Sequence, residues 1–303
     1  MLVTMTVLAA CGNVAGGPLP APARERLARS AARLSPCGRS RPHPYHHVIW
    51  IWMENRSYAS VIGSPSGPFQ TSLAKECGLA TNYHGVAHPS LPNYLAATGG
   101  STFGVTDDGS PGEHAISAPS LFADLEAHGR TWASYEESMP GRCWLTNQGL
   151  YAAKHDPAAY YVGIRPACRR HDVPMGSPAR GAFHWALASG DLASFSFVTP
   201  NLCDDAHDCS TATGDRWLAA WVAAIVRSPA YRAGSTVLFI VYDEGEPGNH
   251  VPAIVVSPST RPGTRSATYF DHYSLLRTTE DLLGVPPLGR SRRSVSMAAA
   301  FGL

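Results

Sequence analysis

The chain has no surplus of charge of either sign. Over 303 residues, 24 Lys and Arg stand against 23 Asp and Glu, a formal net charge of +1. Without a basic field there is no electrostatic footprint for nucleic acid. Arginine far outnumbers lysine. No Cys-x-x-Cys pair occurs, which weighs against a Cys/His zinc site. There is no internal repeat, and after the first ten residues no apolar run is long enough to cross a bilayer. What the chain does have is a hydrophobic fraction of 44%, enough to build the core of one large domain.

Residues 1–10 are almost wholly apolar, and Leu8-Ala9-Ala10-Cys11-Gly12 has the form of a bacterial lipoprotein cleavage box. The basic segment that normally precedes such a leader is missing. The expectation is an exported chain with a leader over 1–11, either secreted or held at the cell surface by a lipid on Cys11. Membrane contact would come only through that anchor. Residues 12–44, rich in Pro, Ala, Gly and Arg, read as a tether with a short helix near 24–34, and residues 45–303 as the functional domain. Beyond Cys11, six cysteines remain: Cys37, Cys77, Cys143, Cys168, Cys203 and Cys209. An even number in an exported chain predicts disulfides, with fifteen connectivities open. The short spacing of Cys203 and Cys209 around Asp204-Asp205-Ala206-His207-Asp208 predicts that these two pair.

Residues 82–100 place Ser90 between Pro89 and Pro92, directly before a helical pattern that starts at Asn93 and ends at Gly99-Gly100. Proline stiffens the turn. A helix N-terminus favours an anion. Ser90 is therefore a candidate nucleophile toward a phosphate, and Asn93 a side-chain donor beside it. Two β-branched and aromatic runs, 45–53 and 235–242, read as buried strands. The first ends in Glu54-Asn55, the second in Asp243-Glu244. Ligands of open α/β sheets bind at strand carboxyl ends. Glu54, Asp243 and Glu244 gathered near Ser90 would need a cation to compensate them. Elsewhere, helices over 120–129, 215–227 and 274–283 alternate with strands over 131–135, 195–198 and 251–256. This predicts an α/β fold with a mostly parallel central sheet and helices on both faces.

Five segments carry a resemblance: Trp52–Tyr58, His88–Tyr94, Thr199–Asp208, Tyr242–Gly245 and His272–Glu280. Taken in order, they resemble the bacterial phosphoesterase family of acid phosphatases and non-haemolytic phospholipases C, within the alkaline-phosphatase-like superfamily. The resemblance implies a phosphoric ester hydrolase working through a phosphoserine on Ser90. One divalent ion would be held by Glu54, Asp243 and Glu244 with the Ser90 oxygen, and Asn55 would add an amide oxygen. Oxygen ligands where two-zinc members of the superfamily carry an imidazole favour Ca²⁺, Mg²⁺ or Mn²⁺ over zinc. A second metal would use Asp204 or Asp205 with His207 and His272. His207 is the leading candidate for protonating the leaving oxygen, His272 the second. Lys154 and His155 also resemble a family segment and, with Asn55, are the expected substrate contacts. The substrate would be a small phosphate ester or a phospholipid headgroup. A phosphomonoesterase is favoured over a phospholipase C, and over a surface lipoprotein that binds without catalysis.

Overall fold

The run Val48-Ile49-Trp50-Ile51-Trp52-Met53 is buried at every position. A strand that is apolar on both faces belongs in the middle of a parallel sheet covered by helices on each side. It forms most of β1 (His47–Met53) in this computed structural model, which describes residues 35–40 and 44–303. The expected leader, Cys11, most of the expected tether and its short helix lie outside the described residues.

The remaining strands are β2 (Gly78–Ala80), β3 (Tyr83–His84), β4 (Trp132–Glu136), β5 (Asp172–Pro174), β6 (Phe195–Thr199), β7 (Thr236–Tyr242), β8 (Ala253–Val256), β9 (Thr264–Ser266) and β10 (Phe270–Asp271). Eight of them form one sheet in the order β5-β4-β6-β1-β7-β8-β2-β9, and β10 pairs with β3 in a small parallel sheet. From β5 to β7 all pairings are parallel; β8 runs antiparallel to both its neighbours. The principal helices are α1 (Pro68–Glu76), α2 (Ser90–Gly99), α3 (Leu121–Ala127), α4 (Arg165–His171), α5 (Ala182–Ser189), α6 (Thr211–Arg227) and α7 (His272–Leu283).

Alternation along β1 decides what covers each face. Trp50 and Trp52 point one way: the Trp50 indole donates to Thr279 Oγ1 of α7 at 3.0 Å, and Trp52 packs on Tyr94 of α2. Met53 points the other way, against Gly214 of α6, where even a methyl group would collide with its Cε. Tyr242, paired with Met53 in register, shares that face and donates from its hydroxyl to Gln70 Oε1 of α1 at 3.2 Å. The predicted helices on both faces are therefore present.

The tether boundary needs correction. Cys37 is buried and bonded to Cys77, the Pro36 carbonyl accepts from the Tyr231 hydroxyl, and the Arg39 and Ser40 amides donate to the Pro258 carbonyl. Residues 36–40 are thus part of the domain, and residues 36–303 form one compact unit. Cys143 pairs with Cys168, and Cys203 with Cys209 as its spacing predicts. No helix among the described residues is long and apolar enough to cross a membrane.

Candidate active site

Register places the chemistry. Met53 lies opposite Tyr242 at the carboxyl ends of β1 and β7, so the next residues, Glu54 and Asp243, emerge side by side. The Asp243 amide donates to the Met53 carbonyl at 3.1 Å, and the Asn55 amide to Asp243 Oδ1 at 3.1 Å. Asn55 adopts φ +48°, in the left-handed region that Asn tolerates better than most residues. The loop carrying Val86–Pro89 crosses close over this edge. Gly85 permits the approach, since a Cβ there would lie 2.5 Å from the Asp243 carbonyl oxygen.

Ser90 is the first residue of α2, which starts three residues before the expected Asn93, with Pro89 as its N-cap. Its hydroxyl lies 3.1 Å from Glu54 Oε2 and 3.3 Å from Glu244 Oε1. The expected convergence of Glu54, Asp243 and Glu244 around Ser90 is thus present in space. The group is open: among the described residues, the acidic trio whose oxygens close to within 4.8 Å of one another lies elsewhere.

The electrostatics are those of crowded, buried acids. Burial, then Glu54 and Glu244, push the Asp243 carboxyl well above its usual range. Burial also raises Glu244, and nearby His88 partly offsets this. Glu54 goes the other way. Burial opposes its charge, but His155 and the Tyr94 hydroxyl, which donates to Oε1, hold it down at about 2. His155 is buried between Glu54 and Asp205, its ring nitrogens 3.3 and 3.5 Å from their oxygens. Burial works against its protonation, yet the two acids raise it to about 9, while Asp205 rises to about 6, chiefly through burial. Asn55 Oδ1 and Asp243 Oδ2 are buried and have no hydrogen-bond partner among the described residues. Two orphaned oxygens beside a serine and further carboxylates suit a hard cation with oxygen ligands.

Several expected roles change on contact with the geometry. Asn93 is not free to donate to a phosphoryl oxygen. Its Oδ1 accepts from the Val86 and Ala87 amides at 2.9 and 3.0 Å, and its Nδ2 donates to the Ala87 and Pro89 carbonyls at 3.0 and 3.3 Å. It braces the turn before Ser90. His272 is likewise committed: Nε2 donates to the Asp243 carbonyl at 2.6 Å, and Nδ1 accepts from the Tyr83 hydroxyl at 3.0 Å. Burial lowers its pKa to about 4. It offers neither a proton nor a lone pair to a ligand. The expected second metal set does not converge, because His272 is spent, Asp204 faces the Asn201 amide at 3.4 Å, and Asp205 faces His155.

His207 keeps a usable geometry. Nδ1 is 2.7 Å from Asp208 Oδ1, its amide donates to Asp205 Oδ1, and the ring sits 5.9 Å from that of His155 at the rim. Lys154 pairs with Asp108 Oδ2 at 2.8 Å, and Asp108 Oδ1 accepts the Leu91 amide of α2. Sequence reading missed Asp108, His88 and Tyr94. Tyr94 had a signal, since it lies four residues after Ser90 on the same helix face. His88 contacts Glu244 through Nδ1 and lies 3.3 Å from Glu246; like Asp108, it carries no local mark of its place.

The fold is that of the alkaline phosphatase superfamily. A member from Vibrio parahaemolyticus aligns with a TM-score of 0.56 at 12% identity, covering 88% of this chain and 73% of that one. Residues 64–286 match the Phosphoesterase family, and the chain belongs to it: the protein is a hydrolase acting on phosphoric esters. Among its relatives are the phosphatidylinositol-3-phosphatase of Mycobacterium tuberculosis, 31% identical over 85% of this chain and 83% of the relative, and an acid phosphatase of Aspergillus fumigatus, 28% identical over 88% of this chain and 61% of the relative.

Proposed function

We propose that the protein is an exported phosphomonoesterase that works through a phosphoserine at Ser90 and depends on a divalent cation. The observation that carries this is the Ser90 hydroxyl, buried at a helix N-terminus between Glu54 and Glu244, beside the orphaned oxygens of Asn55 and Asp243. Glu54, Asn55, Asp243 and Glu244 would hold the cation, which when bound supplies charge that lowers the serine pKa and offsets the phosphoryl oxygens.

Ser90 Oγ attacks phosphorus in line as its proton passes to a neighbouring carboxylate. The P–O bond to the alcohol breaks, and His207, aligned through Nδ1 by Asp208, delivers a proton from Nε2 to the departing oxygen. The neutral imidazole then takes a proton from water, which attacks the phosphoserine; the P–O bond to Ser90 breaks, the carboxylate returns its proton to Ser90 Oγ, and phosphate is released. His155 fixes and ionises Glu54. Lys154, on the rim, draws the anionic substrate. Asn93 and His272 are positioning residues, holding the turn before Ser90 and the backbone of Asp243.

The names of the Mycobacterium and Aspergillus relatives favour monoesters as substrates. Three disulfides are consistent with an oxidising compartment. Turnover of p-nitrophenyl phosphate against p-nitrophenyl phosphorylcholine, with and without chelator, tests the proposal. Fast, chelator-sensitive hydrolysis of the monoester supports it. Preference for the diester, or full activity in chelator, contradicts it.

A further inference from the structure

A second group of acids lies beneath the site, outside the machinery described above. Glu136 ends β4, Asp172 begins β5, and Asp156 follows His155 in the chain. Each brings a carboxylate oxygen to within 4.8 Å of the other two, and none is more than 1% exposed. Part of each carboxylate is already occupied. The Ser134 hydroxyl donates to Glu136 Oε1 at 2.7 Å, the Tyr151 hydroxyl donates to Asp156 Oδ2 at 2.8 Å, and Asp172 Oδ2 lies 3.5 Å from Cys168 Sγ, a disulfide sulfur with no proton to give. Among the described residues no donor reaches Asp156 Oδ1 or Asp172 Oδ1, and the two carboxyls could bond to each other only by sharing a proton.

Orphaned carboxylate oxygens at zero exposure are costly unless something compensates them. The charged group acting on both Asp156 and Asp172 with the opposite sign is the Arg165 guanidinium at the start of α4. Burial and mutual repulsion hold Glu136 and Asp172 well above the usual carboxyl range; fully ionised, the trio would carry three negative charges against that one positive charge, leaving two, the charge of a single divalent ion. The donors are all oxygen, which selects a hard cation. The enclosure selects further: Mg²⁺ sheds its water reluctantly, whereas Ca²⁺ accepts carboxylates in flexible, mono- or bidentate geometry.

We propose that Glu136, Asp156 and Asp172 form a structural calcium site, distinct from the catalytic one. The ion ties together the ends of β4 and β5 and the segment 153–160, which delivers Lys154 and His155 to the active site. Calcium thus stabilises the fold independently of turnover.

The test uses the full chain carrying Glu54→Gln and Asp243→Asn, so that its outcome does not depend on the catalytic reading. CaCl₂ is titrated into the chelator-stripped protein, and bound calcium and the unfolding midpoint are followed. One equivalent is expected, and at a hundredfold excess over Kd the unfolding constant falls about 100-fold. Adding Asp172→Asn abolishes both effects. If that variant fails to fold, Tb³⁺ in the parent decides instead: excitation of Tyr151, hydrogen-bonded to Asp156, sensitises terbium emission that excess Ca²⁺ quenches. No uptake by the folded parent overturns the proposal. So does a response to Mg²⁺ but not Ca²⁺, or stability that follows pH alone, which would mean that shared protons neutralise the trio.

Discussion

Replacing Asn93 by Ala separates two accounts of that residue. As a donor to the phosphoryl oxygen, its loss would cost about 10²–10³ in kcat and leave the fold untouched. As a brace, its loss strands the Val86 and Ala87 amides and the Ala87 and Pro89 carbonyls, all bonded to its side chain at 2.9–3.3 Å. The Ala87 carbonyl keeps its bond from Asn249 Nδ2 at 2.9 Å, so the penalty falls mainly on the other three groups. A fully buried polar group left unpaired costs about 1–3 kcal/mol; these groups are part-buried and water reaches some of them, so the total is about 2–4 kcal/mol. For a domain of this size that lowers Tm by roughly 10 °C, at about 2–4 °C per kcal/mol. Asn93→Asp keeps the two accepted bonds but sets a carboxylate against two carbonyls, and should destabilise at least as much. The assay is thermal unfolding beside kcat and KM on p-nitrophenyl phosphate. An Asn93→Ala protein with wild-type Tm and a large loss of kcat would refute the bracing role.

Other outcomes follow from the same geometry. Glu280 is buried and raised to about 7, with Ser291 and the Leu288 amide only partly offsetting that burial. Its folded pKa lies above its unfolded value of 4.5, so its contribution is complete below that pH and is lost as pH rises through 7. Glu280→Gln, which accepts from the Leu288 amide through its oxygen and reverses the Ser291 bond by donating from Nε2, should flatten Tm between about pH 4.5 and 8; an unchanged slope would assign the loss to other groups. His207→Asn should slow alkyl phosphates by about 10²–10⁴ and p-nitrophenyl phosphate far less, because a phenolate leaves with little help. Equal losses on both substrates would remove the acid role. Opening the Cys203–Cys209 bridge with paired Ala substitutions frees a short loop and should cost roughly 2 kcal/mol, read in denaturant unfolding.

The parts of the molecule that were legible in sequence are those set by long uniform patterns. The apolar runs of β1 and β7 announce central strands, and a central strand's carboxyl end tells where Glu54 and Asp243 must emerge. Ser90 was legible from its prolines. The three-residue strands β2 and β9 are too short to show a period, and the four-residue apolar run of β8 says nothing of its direction. Asn93 and His272 were expected to meet substrate or metal, and their side chains are bonded instead to backbone groups and to Tyr83. Residue type fixes what an amide or imidazole can bond; only the fold decides which backbone groups reach it first. The trio of Glu136, Asp156 and Asp172 comes from three separate segments that share no motif.

The central claim is a covalent phosphoryl group on Ser90. Rapid acid quench of the enzyme during turnover, followed by peptide mapping, tests it most directly. The account predicts phosphate on the peptide bearing Ser90 and nowhere else, with neither phosphopeptide nor appreciable turnover in a folded Ser90→Ala protein. Phosphate on another residue, or near wild-type turnover without Ser90, would contradict it.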